Sequence, residues 1–553
     1  MIDVKKLRAY PTAPSASCQE KKQNKPQKVI SWRLLPNKDQ LFILFLSCLV
    51  DFLQVASLQA YVFFQLKHFD DGLSDAEISR QAGLLQGCFT GAQVLTAILW
   101  GKAADASWCG RKRVLLIGLV GTAVSCVGYG FSTSFYEAAM WRAFGGAVNG
   151  TVGITRTMIA EITVEKTHQP LASLILPMSF NVAGIIGPIL GGLLADPIKT
   201  FPRWFGEATV FESQWINQNP YALPNVINAI LLAFSAIVTY LFLEETLSSS
   251  SKLFDYGLYL GNKIKSRILQ DAGQRLHYSL SRSKDVPMTT CRVEPYHEKR
   301  MTGRLPFSRL WTRNVLFTLL TSALYDFHLG SFTNIWSLFL STPRYGTSSH
   351  VIQKRSLPLL FTGGLGMAAS TVGLATSILG GLGMILQVFC YPPIQARLGN
   401  LRSFRWFLFL FPVAYLITPC ISILPSPTAP PEPCSGVYVW TGITLTLLLH
   451  TTARAFTLPA SIILLNNCSP HPSVLGTIHG LGQSVSAAFR TMGPVVGGRW
   501  FGFGLDIGMV AWGWWGTAVV SIFACISAFG MHDGSGHEIL LDDEVDCEQG
   551  KTA

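Results

Sequence analysis

Long apolar runs, most of them of about 20 residues, recur along the chain and alternate with polar stretches. A helix needs about 20 apolar residues to cross the hydrocarbon core of a bilayer, which is roughly 30 Å thick. The pattern therefore predicts six membrane-spanning helices, an interruption, and six more. The first six runs lie near Leu41–Phe64, Ala82–Trp100, Val114–Phe131, Ala138–Ile159, Ala172–Leu194 and Val226–Leu243. The second six lie near Val315–Leu340, Leu359–Phe389, Phe404–Leu424, Val437–Leu465, Val474–Val496 and Met509–Phe529.

A pattern of glycine and proline interrupts the fifth apolar run and returns in the eleventh. Each time the sequence reads G-P-x-x-G-G, which in water would weaken a helix by about 1 kcal/mol per glycine and 3 per proline. In a membrane, small residues instead let neighbouring helices approach closely, and proline kinks the helix beside them. The repetition indicates two halves built on one plan, as in transporters with internal repeats. This conformational motif consists of Gly187, Pro188, Gly191 and Gly192 and of Gly493, Pro494, Gly497 and Gly498.

The composition agrees with membrane insertion. Only 14% of the 553 residues are charged and 49% are hydrophobic, whereas soluble domains are roughly 25% charged. The sequence therefore predicts an all-α membrane protein with about 12 transmembrane helices in two pseudo-symmetric six-helix bundles. The predicted regions are a basic cytosolic tail (1–40), an N-terminal bundle (41–243), a cytosolic linker (244–313), a C-terminal bundle (314–531) and an acidic cytosolic tail (532–553).

The distribution of positive charge predicts the orientation of the chain. The net charge is +11, and the cations are concentrated between apolar runs, for example at Arg111–Arg113 and Arg397–Arg405. Because Lys and Arg are enriched in cytosolic loops, we expect both termini in the cytosol. Topology accounts for the charge, so we expect no nucleic-acid partner. We expect a monomeric, multi-pass protein of the plasma membrane rather than of the vacuolar membrane.

Two aspartates stand in the middle of equivalent runs, Asp51 in the first and Asp326 in the seventh. A charge at this depth costs about 2.5–3.5 kcal/mol, so two equivalent carboxylates predict a polar interior. We expect both to take part in proton coupling; alternatively, they are paired or permanently protonated and only fix packing. Aligning the halves on them also matches two amides about two turns further on. The expected substrate path is lined by Gln59, Asn334 and Trp336.

Three arginines in the predicted spans add candidate functional groups. Arg142 lies near the outer end of the fourth run, where its permanent charge needs a counter-charge or water. Its expected role is to tune a neighbouring acid during proton coupling; alternatively, it extends to the membrane interface. Arg454 and Arg490, in the tenth and eleventh runs, add basic groups to the expected substrate path.

The loop between the second and third runs holds a further conformational motif. Gly101 and Gly110 are expected to permit a tight reversal. Asp105, near the end of a helix, meets an unfavourable dipole, so we expect it to pair with a cation or with the start of a second helix. Together with Arg111 and Lys112 it is assigned to a latch that stabilises one conformation. Alternatively, the two cations only set the membrane topology.

Other function classes find little support in the sequence. No phosphate-binding loop with Walker spacing and no defensible nucleophile motif occurs, so we expect neither ATP-driven transport nor an enzyme. The histidines are dispersed and form no close ligand pair at helical spacing, so no metal site is assigned. No cofactor is expected.

From Leu41 to Met531 the chain resembles the major facilitator superfamily. The segment Gly101–Lys112 resembles the family's G-x-x-x-D…G-R-K signature, Arg142–Gly146 its fourth-span arginine motif, and Gly187–Gly192 its fifth-span antiporter motif. The phrases NGTVGITRTMIAEI and VDFLQVASLQAYVFFQLK resemble fungal proteins related to the zinc-induced-facilitator-like and drug:proton antiporter branch. The resemblance implies two six-helix bundles, alternating access and, usually, proton-coupled export of small molecules.

We therefore expect a secondary active transporter that exports a small organic molecule, such as a xenobiotic or a secondary metabolite, with the proton gradient as its driving force. The expected partners are this substrate, protons and the lipid bilayer. One alternative is a facilitator or symporter that imports a nutrient, a metal chelate or an organic anion. Another is a non-transporting receptor. The duplicated aspartate and G-P-x-x-G-G pattern favour transport, because a receptor needs no pseudo-symmetric path.

Overall fold

A computed structural model describes residues 37–106, 108–163, 174–205, 214–247, 255–276, 307–344, 363–471 and 474–534, together with residues 172 and 539. These residues form helices joined by turns, and no strand occurs among them. The basic tail before residue 37, part of the linker and most of the acidic tail lie outside the described residues.

Twelve helical units in the described part of the chain correspond to the twelve predicted runs and are labelled α1 to α12. In the first half they are α1 (Lys38–Gln59, continued by Val62–Phe69), α2 (Asp75–Asp105), α3 (Arg111–Gly130), α4 (Phe135–Val148, continued by Thr151–Ile162), α5 (Ile175–Leu194) and α6 (Ala222–Phe242). In the second half they are α7 (Arg313–Ser341), α8 (Ala369–Ile385, continued by Leu386–Cys390 and Tyr391–Leu398), α9 (Asn400–Leu408, continued by Leu410–Ile417 and Thr418–Ile423), α10 (Val437–Asn467), α11 (Leu475–Asp506) and α12 (Ala511–Phe529). Shorter helices are Pro197–Thr200, Pro202–Phe205, Gln214–Gln218 and Phe307–Leu310, and a linker helix covers Tyr256–Leu276.

Ten of the units contain a helix long and apolar enough to cross a membrane, and α4 and α11 are not among these ten. The reason for α4 is a break at Asn149 and Gly150, which divides it into pieces of 14 and 12 residues. α11 has 32 residues, but polar groups that include Arg490 and Arg499 interrupt its apolar pattern. Both units pack against apolar neighbours, α4 on α2 and α11 on α7. The predicted all-α fold of twelve spans in two bundles is confirmed.

Equivalent helices pack alike in the two bundles. In the first bundle α1 packs on α5, α2 on α4 and α3 on α6. In the second bundle α7 packs on α11, α8 on α10 and α9 on α12. Each helix of the second bundle comes six helices after its counterpart in the first. The packing therefore follows the internal repeat that the sequence predicts.

The bundles meet along a seam formed by α2 against α11 and by α5 against α8. Glycine makes the close approach possible. A Cβ atom on Gly83 of α2 would overlap the carbonyl oxygen of Pro494, and one on Gly373 of α8 would overlap that of Pro188. The two G-P-x-x-G-G motifs therefore occupy equivalent places on the two arms of the seam.

The same motifs also hold helices together inside each bundle. A Cβ atom on Gly187 would lie 2.8 Å from the Cβ of Ala56 and 2.9 Å from the carbonyl oxygen of Leu53, both on α1. Gly493 lies in the same way against α7, where a Cβ atom would overlap the carbonyl oxygen of Phe327. Any larger side chain at Gly187 or Gly493 must therefore displace backbone.

One end of the molecule, called the linker end below, is where α1 begins and α6 ends. The Gln40 side chain donates a hydrogen bond to the carbonyl oxygen of Phe242 (3.1 Å) and accepts one from the amide of Glu244 (2.9 Å). The Glu245 carboxylate accepts hydrogen bonds from the first two amides of α3, each at 3.1 Å. A negative group there complements the positive end of the helix dipole. The other end of the molecule is called the opposite end.

Ion pairs at the linker end connect the second-to-third loop to its surroundings. Asp105 pairs with Arg111 at 3.4 Å, and Arg111 also pairs with Glu161 of α4. Lys112 pairs with Asp255 at 2.7 Å, just before the linker helix. Partial burial opposes ionisation of Asp255, but hydrogen bonds from Lys112 and from nearby backbone amides outweigh it and hold the pKa of this carboxyl below its usual value.

The linker helix docks on the end of α6 through two glycines. Cβ atoms on Gly257 and Gly261 would overlap the carbonyl oxygens of Tyr240 and Leu241.

The expected role of Gly101 in the reversal between α2 and α3 is wrong. Gly101 lies inside α2, which continues to Asp105, and no described atom lies within 4 Å of where its Cβ would be.

The reversal between α2 and α3 depends instead on Gly110. This residue has a φ of 78° and precedes the first residue of α3. Glycine adopts this left-handed backbone conformation without the steric cost that a side chain would bring.

Candidate functional site

The seam is closed at the opposite end and parts toward the linker end. Along α2 and α11 the last glycine contact joins Gly91 to Thr491, whose Cγ2 atom would lie 3.3 Å from a Cβ on Gly91. Beyond it α11 exposes polar side chains, and that of Arg490 is 59% exposed. Such exposure indicates a water-filled space, because contact with lipid would be costly. This space, called the vestibule, lies beside Arg490 and the exposed Gln483, two turns earlier on the same face of α11. Arg156 and Arg454 are close enough to Arg490 to interact with it electrostatically.

An ion pair spans the closed end of the seam. Arg80 near the start of α2 pairs with Glu77 at 2.9 Å and with Asp506, the last residue of α11. The backbones are close here too, because a Cβ atom on Gly502 would lie 2.6 Å from the carbonyl oxygen of Ala76. The Arg80–Asp506 pair forms only when the two bundles meet at this end.

We expect the Arg80→Gln variant to open the opposite end more often. Surface ion pairs contribute about 0.2–1 kcal/mol, so the open population should rise up to about fivefold. The measurement is the rate at which a membrane-impermeant maleimide, added from the opposite-end side, labels a Ser337→Cys reporter in a background without other accessible cysteines.

A matched control is Lys199→Gln, which removes the Lys199–Asp196 pair inside one bundle. The control should leave the labelling rate unchanged. Exchanging the charges, with Arg80→Asp and Asp506→Arg in one protein, should restore slow labelling. Equal labelling of the wild type and Arg80→Gln would show that the pair does not hold the seam closed.

Asp51 lies inside the first bundle at the break in α4, where its side chain accepts a hydrogen bond from the Asn149 amide at 2.6 Å. The Asn149 side-chain oxygen accepts from the backbone amide of Thr151 (3.2 Å), and its carbonyl oxygen accepts from Gln93 (3.3 Å). No described cation forms an ion pair with Asp51. The break in α4 thus supplies a neutral, polar partner for a carboxylate that is only 3% exposed.

Arg142 is buried near this site but makes no ion pair with a described carboxylate. It donates to the side-chain oxygens of Gln54 (3.5 Å) and Gln86 (3.2 Å), and its guanidinium lies 4.2 Å from the ring centroid of Phe89. At 4% exposure it does not extend to the membrane interface. The structure therefore places Arg142 among amides rather than beside the acid that it was expected to tune.

The two amides of the expected substrate path come together. Gln59 and Asn334, from opposite bundles, line a cavity of about 20 Å³ that Gln86 and Ser337 also line. Such a cavity accommodates about one water molecule. Through Gln86 the cavity adjoins Arg142, so polar side chains of the two bundles face one another near the closed end of the seam.

Trp336 lies elsewhere than the sequence predicts. It is 2% exposed and packs inside the second bundle, with its ring stacked on Phe332 and in edge contact with Trp514. His450 also stacks on Phe332, with 3.6 Å between the ring centroids. The physical reason is hydrophobic: a large aromatic group is stabilised by this cluster, and the cluster keeps it out of the path.

Asp326 faces the vestibule and is paired. Its carboxylate lies 3.1 Å from an Arg490 nitrogen and accepts a hydrogen bond from Ser486, both on α11. Asp51 and Asp326 therefore differ in their surroundings, because one has a neutral amide partner and the other has a cation. No hydrogen bond links the two carboxylates within the described residues.

Arg454 also reaches the vestibule, and it does so across the seam. Its guanidinium lies 4.1 Å from the ring centroid of Phe180 on α5. The next residue on α5, Asn181, donates a hydrogen bond to Gln387 of α8 at 2.6 Å. Both contacts join the two bundles at the level where the seam begins to part.

Several residues at the site were not singled out from the sequence, and five of them matter most for the argument. They are Arg80, Gln86, Asn149, Arg156 and Ser486. The Asn-Gly pair at 149–150 carried a usable signal, since this dipeptide inside an apolar run marks a break. The other four have partners far away along the chain, so no local pattern identifies them. Among the described residues no group of three His, Cys, Asp or Glu side chains is placed to hold a metal ion.

Comparison with known proteins adds a family match. Residues 40–381 match the model of the Major Facilitator Superfamily. Solved transporter structures of 12–17% sequence identity share the fold, with TM-scores of 0.51–0.56 over 89–90% of this chain. At such low identity this likeness concerns the fold alone.

Three curated relatives cover most of the chain. The Major facilitator superfamily multidrug transporter mfsB of Aspergillus fumigatus is 31% identical over 91% of this chain and 84% of its own. The efflux pump azaK of Aspergillus niger is 25% identical over 77% of this chain and 73% of its own. Protein ZINC INDUCED FACILITATOR 1 of Arabidopsis thaliana is 24% identical over 81% of each. The resemblance to fungal and zinc-induced-facilitator proteins is confirmed.

Proposed function

The chain belongs to the major facilitator superfamily and is a multi-pass membrane transporter rather than an enzyme, and we propose that it exports a small organic molecule in exchange for protons. Names among its relatives that refer to multidrug transport and efflux support export. The linker end is assigned to the cytosol because the basic loops lie there.

The observation that carries the proposal is the asymmetry of the seam, which is closed at the opposite end and parts at the linker end. Glycine contacts such as Gly83 with Pro494 bring backbones together without interlocking side chains. Contacts of this kind are broken and reformed at low cost, because no rotamer has to change. The present arrangement is thus a cytosol-open state that takes up its cargo, and the reverse tilt releases it outside.

We assign the proton to Asp51. In the cytosol-open state this side chain is buried beside the neutral amide of Asn149. Burial without a cation favours the neutral, protonated form. Proton binding from outside would therefore favour the return to the cytosol-open state. Asp326, already paired with Arg490, acts in this scheme as the counter-charge of that arginine.

The test uses sealed vesicles with the linker end outside and an extract of cellular small molecules as the probe mixture. Mass spectrometry identifies any compound that accumulates inside. Export by proton exchange predicts accumulation that requires an acidic lumen and disappears with a protonophore. Accumulation that needs an alkaline lumen would identify a symporter, and accumulation that stops at equal concentrations would identify a facilitator; either result overturns the proposal.

A further inference from the structure

Three arginines from both bundles face the vestibule. Arg156 belongs to α4 in the first bundle, and Arg454 and Arg490 belong to α10 and α11 in the second. Arg156 is exposed and close enough to Arg490 to interact with it electrostatically. Arg454 interacts with Arg490 in the same way. Arg156 and Arg490 lie on opposite bundles, so their like charges oppose closure of the empty vestibule at the linker end, and the Asp326 carboxylate offsets only part of this repulsion.

The charges around the vestibule do not balance. Among the described residues, Asp326 is the single carboxylate that pairs with any of the three arginines. The other acids nearby are engaged elsewhere, because Asp51 is bonded to Asn149 and Glu161 to Arg111. Three guanidinium groups thus share one described carboxylate, because Asp326 also acts electrostatically on Arg454, and two positive charges remain uncompensated at membrane depth. Charges in such a place need a counter-charge, which a ligand can supply.

The surface beside these arginines is suited to binding an organic ligand. The Arg454 guanidinium lies over the face of Phe180, and the Phe180 ring meets Phe52 of α1 edge to face at 5.4 Å. The side chains of Asn181 and Gln387 add amide donors and acceptors across the seam. Aromatic surface, guanidinium groups and a few polar side chains form the kind of lining that orients a flat organic ligand.

We infer that the vestibule binds an organic anion, a flat apolar body with a carboxylate or sulfonate group, held between Arg156 of one bundle and Arg454 of the other. This inference rests on the proposed function for the path, and it adds the substrate class. The anion neutralises the repulsion between the bundles and so allows the linker end to close. Its release on the other side restores the repulsion, which reopens the linker end once Asp51 has taken up a proton.

The test compares two xanthene dyes of similar size, fluorescein as the anion and rhodamine 123 as the cation. Binding to purified full-length protein in lipid nanodiscs is followed by fluorescence anisotropy. Fluorescein should bind more tightly than rhodamine 123, and more weakly as salt is added. Arg156→Gln and Arg454→Gln should each weaken fluorescein binding at least about tenfold, which is the effect of losing one charge-assisted contact.

Three controls separate binding from folding. Arg402→Gln removes an exposed cation from α9 and should leave the affinity unchanged. Arg156→Lys keeps the charge and should retain most of the affinity. Tryptophan fluorescence during thermal unfolding checks that each variant is folded. Tighter binding of rhodamine 123, or fluorescein binding that is equal in folded wild type and Arg156→Gln, would overturn the inference.

Failure of the inference is distinguishable from failure of the proposed function. If the extract experiment shows proton-driven accumulation of cationic or neutral compounds only, the substrate class is wrong and the exchange mechanism stands. If fluorescein binds as expected but no compound follows the pH gradient, the anion site stands and the exchange mechanism is wrong.

Discussion

The Gly498→Leu substitution is expected to reduce transport at least about fivefold while the protein remains folded. A Cβ atom on Gly498 would lie 2.6 Å from the carbonyl oxygen of Ser79 and 3.1 Å from the Asn334 amide nitrogen, so a leucine separates α11 from α2. Overpacking of this kind costs about 1–3 kcal/mol, which corresponds to a roughly 5- to 150-fold change in a conformational population. This free-energy cost applies to the state that is closed at the opposite end. It does not apply to the state that is open there, because α2 and α11 are already apart.

The measurement is the initial rate of proton-driven accumulation at matched membrane abundance. Gly381→Leu is the matched control, because no described atom lies within 4 Å of its Cβ position. Gly493→Leu provides a contrast: Gly493 contacts α7 inside its own bundle, so this variant should lower the unfolding temperature as well as the rate. Normal transport by the Gly498→Leu protein would contradict the role of the seam glycines.

The Asp51→Asn substitution is expected to abolish accumulation driven by the pH gradient and to preserve exchange. The amide has nearly the same size and is neutral without a proton, so the return to the cytosol-open state no longer depends on proton binding. The ratio of internal to external cargo should therefore fall to about 1. Exchange of labelled for unlabelled cargo at equal pH should continue at a similar rate.

Asp326→Asn is the informative comparison, because it leaves Arg490 without its acid partner. This variant should change the affinity for cargo and retain the response to the gradient. Gradient-driven accumulation by a folded Asp51→Asn protein would refute the assignment of the proton. If only the Asp326→Asn variant lost the gradient response, the proton-binding site would be Asp326 instead of Asp51.

Much of the architecture follows from local pattern. Twelve apolar runs and a repeated G-P-x-x-G-G are enough to predict two equivalent bundles, since each run must become a helix to satisfy its backbone in lipid. The proximity of Gln59 and Asn334 also follows, because symmetry brings residues at the same depth of α1 and α7 to the same seam, where both line one cavity. These predictions depend on position along a helix and on the repeat alone.

Other features depend on the direction in which a side chain points, which the repeat does not specify. Trp336 is only two residues from Asn334 but lies on another face of α7, where it packs in the aromatic cluster beside Trp514. Arg142 finds glutamine partners on α1 and α2, although its span also lies near Asp51. The Arg80–Asp506 contact joins residues 426 positions apart. Such contacts become visible only once the helices are packed.

The pairing of Asp326 with Arg490 has a consequence for the response of the transporter to voltage. Together the two side chains carry no net charge, so a tilt that moves them through the membrane field does no electrical work. A single unpaired charge that crossed the whole field would contribute about 2.3 kcal/mol per 100 mV. The voltage dependence of each half-cycle therefore comes from the remaining charges: those of Arg156 and Arg454, of whatever is bound between them, and of Asp51, which carries a proton only in the return step. In the export step the bound anion and the ionised Asp51 both offset the arginines, whereas in the return step the vestibule is empty and Asp51 is neutral. For a singly charged anion the two half-cycles therefore differ in voltage dependence by two charges.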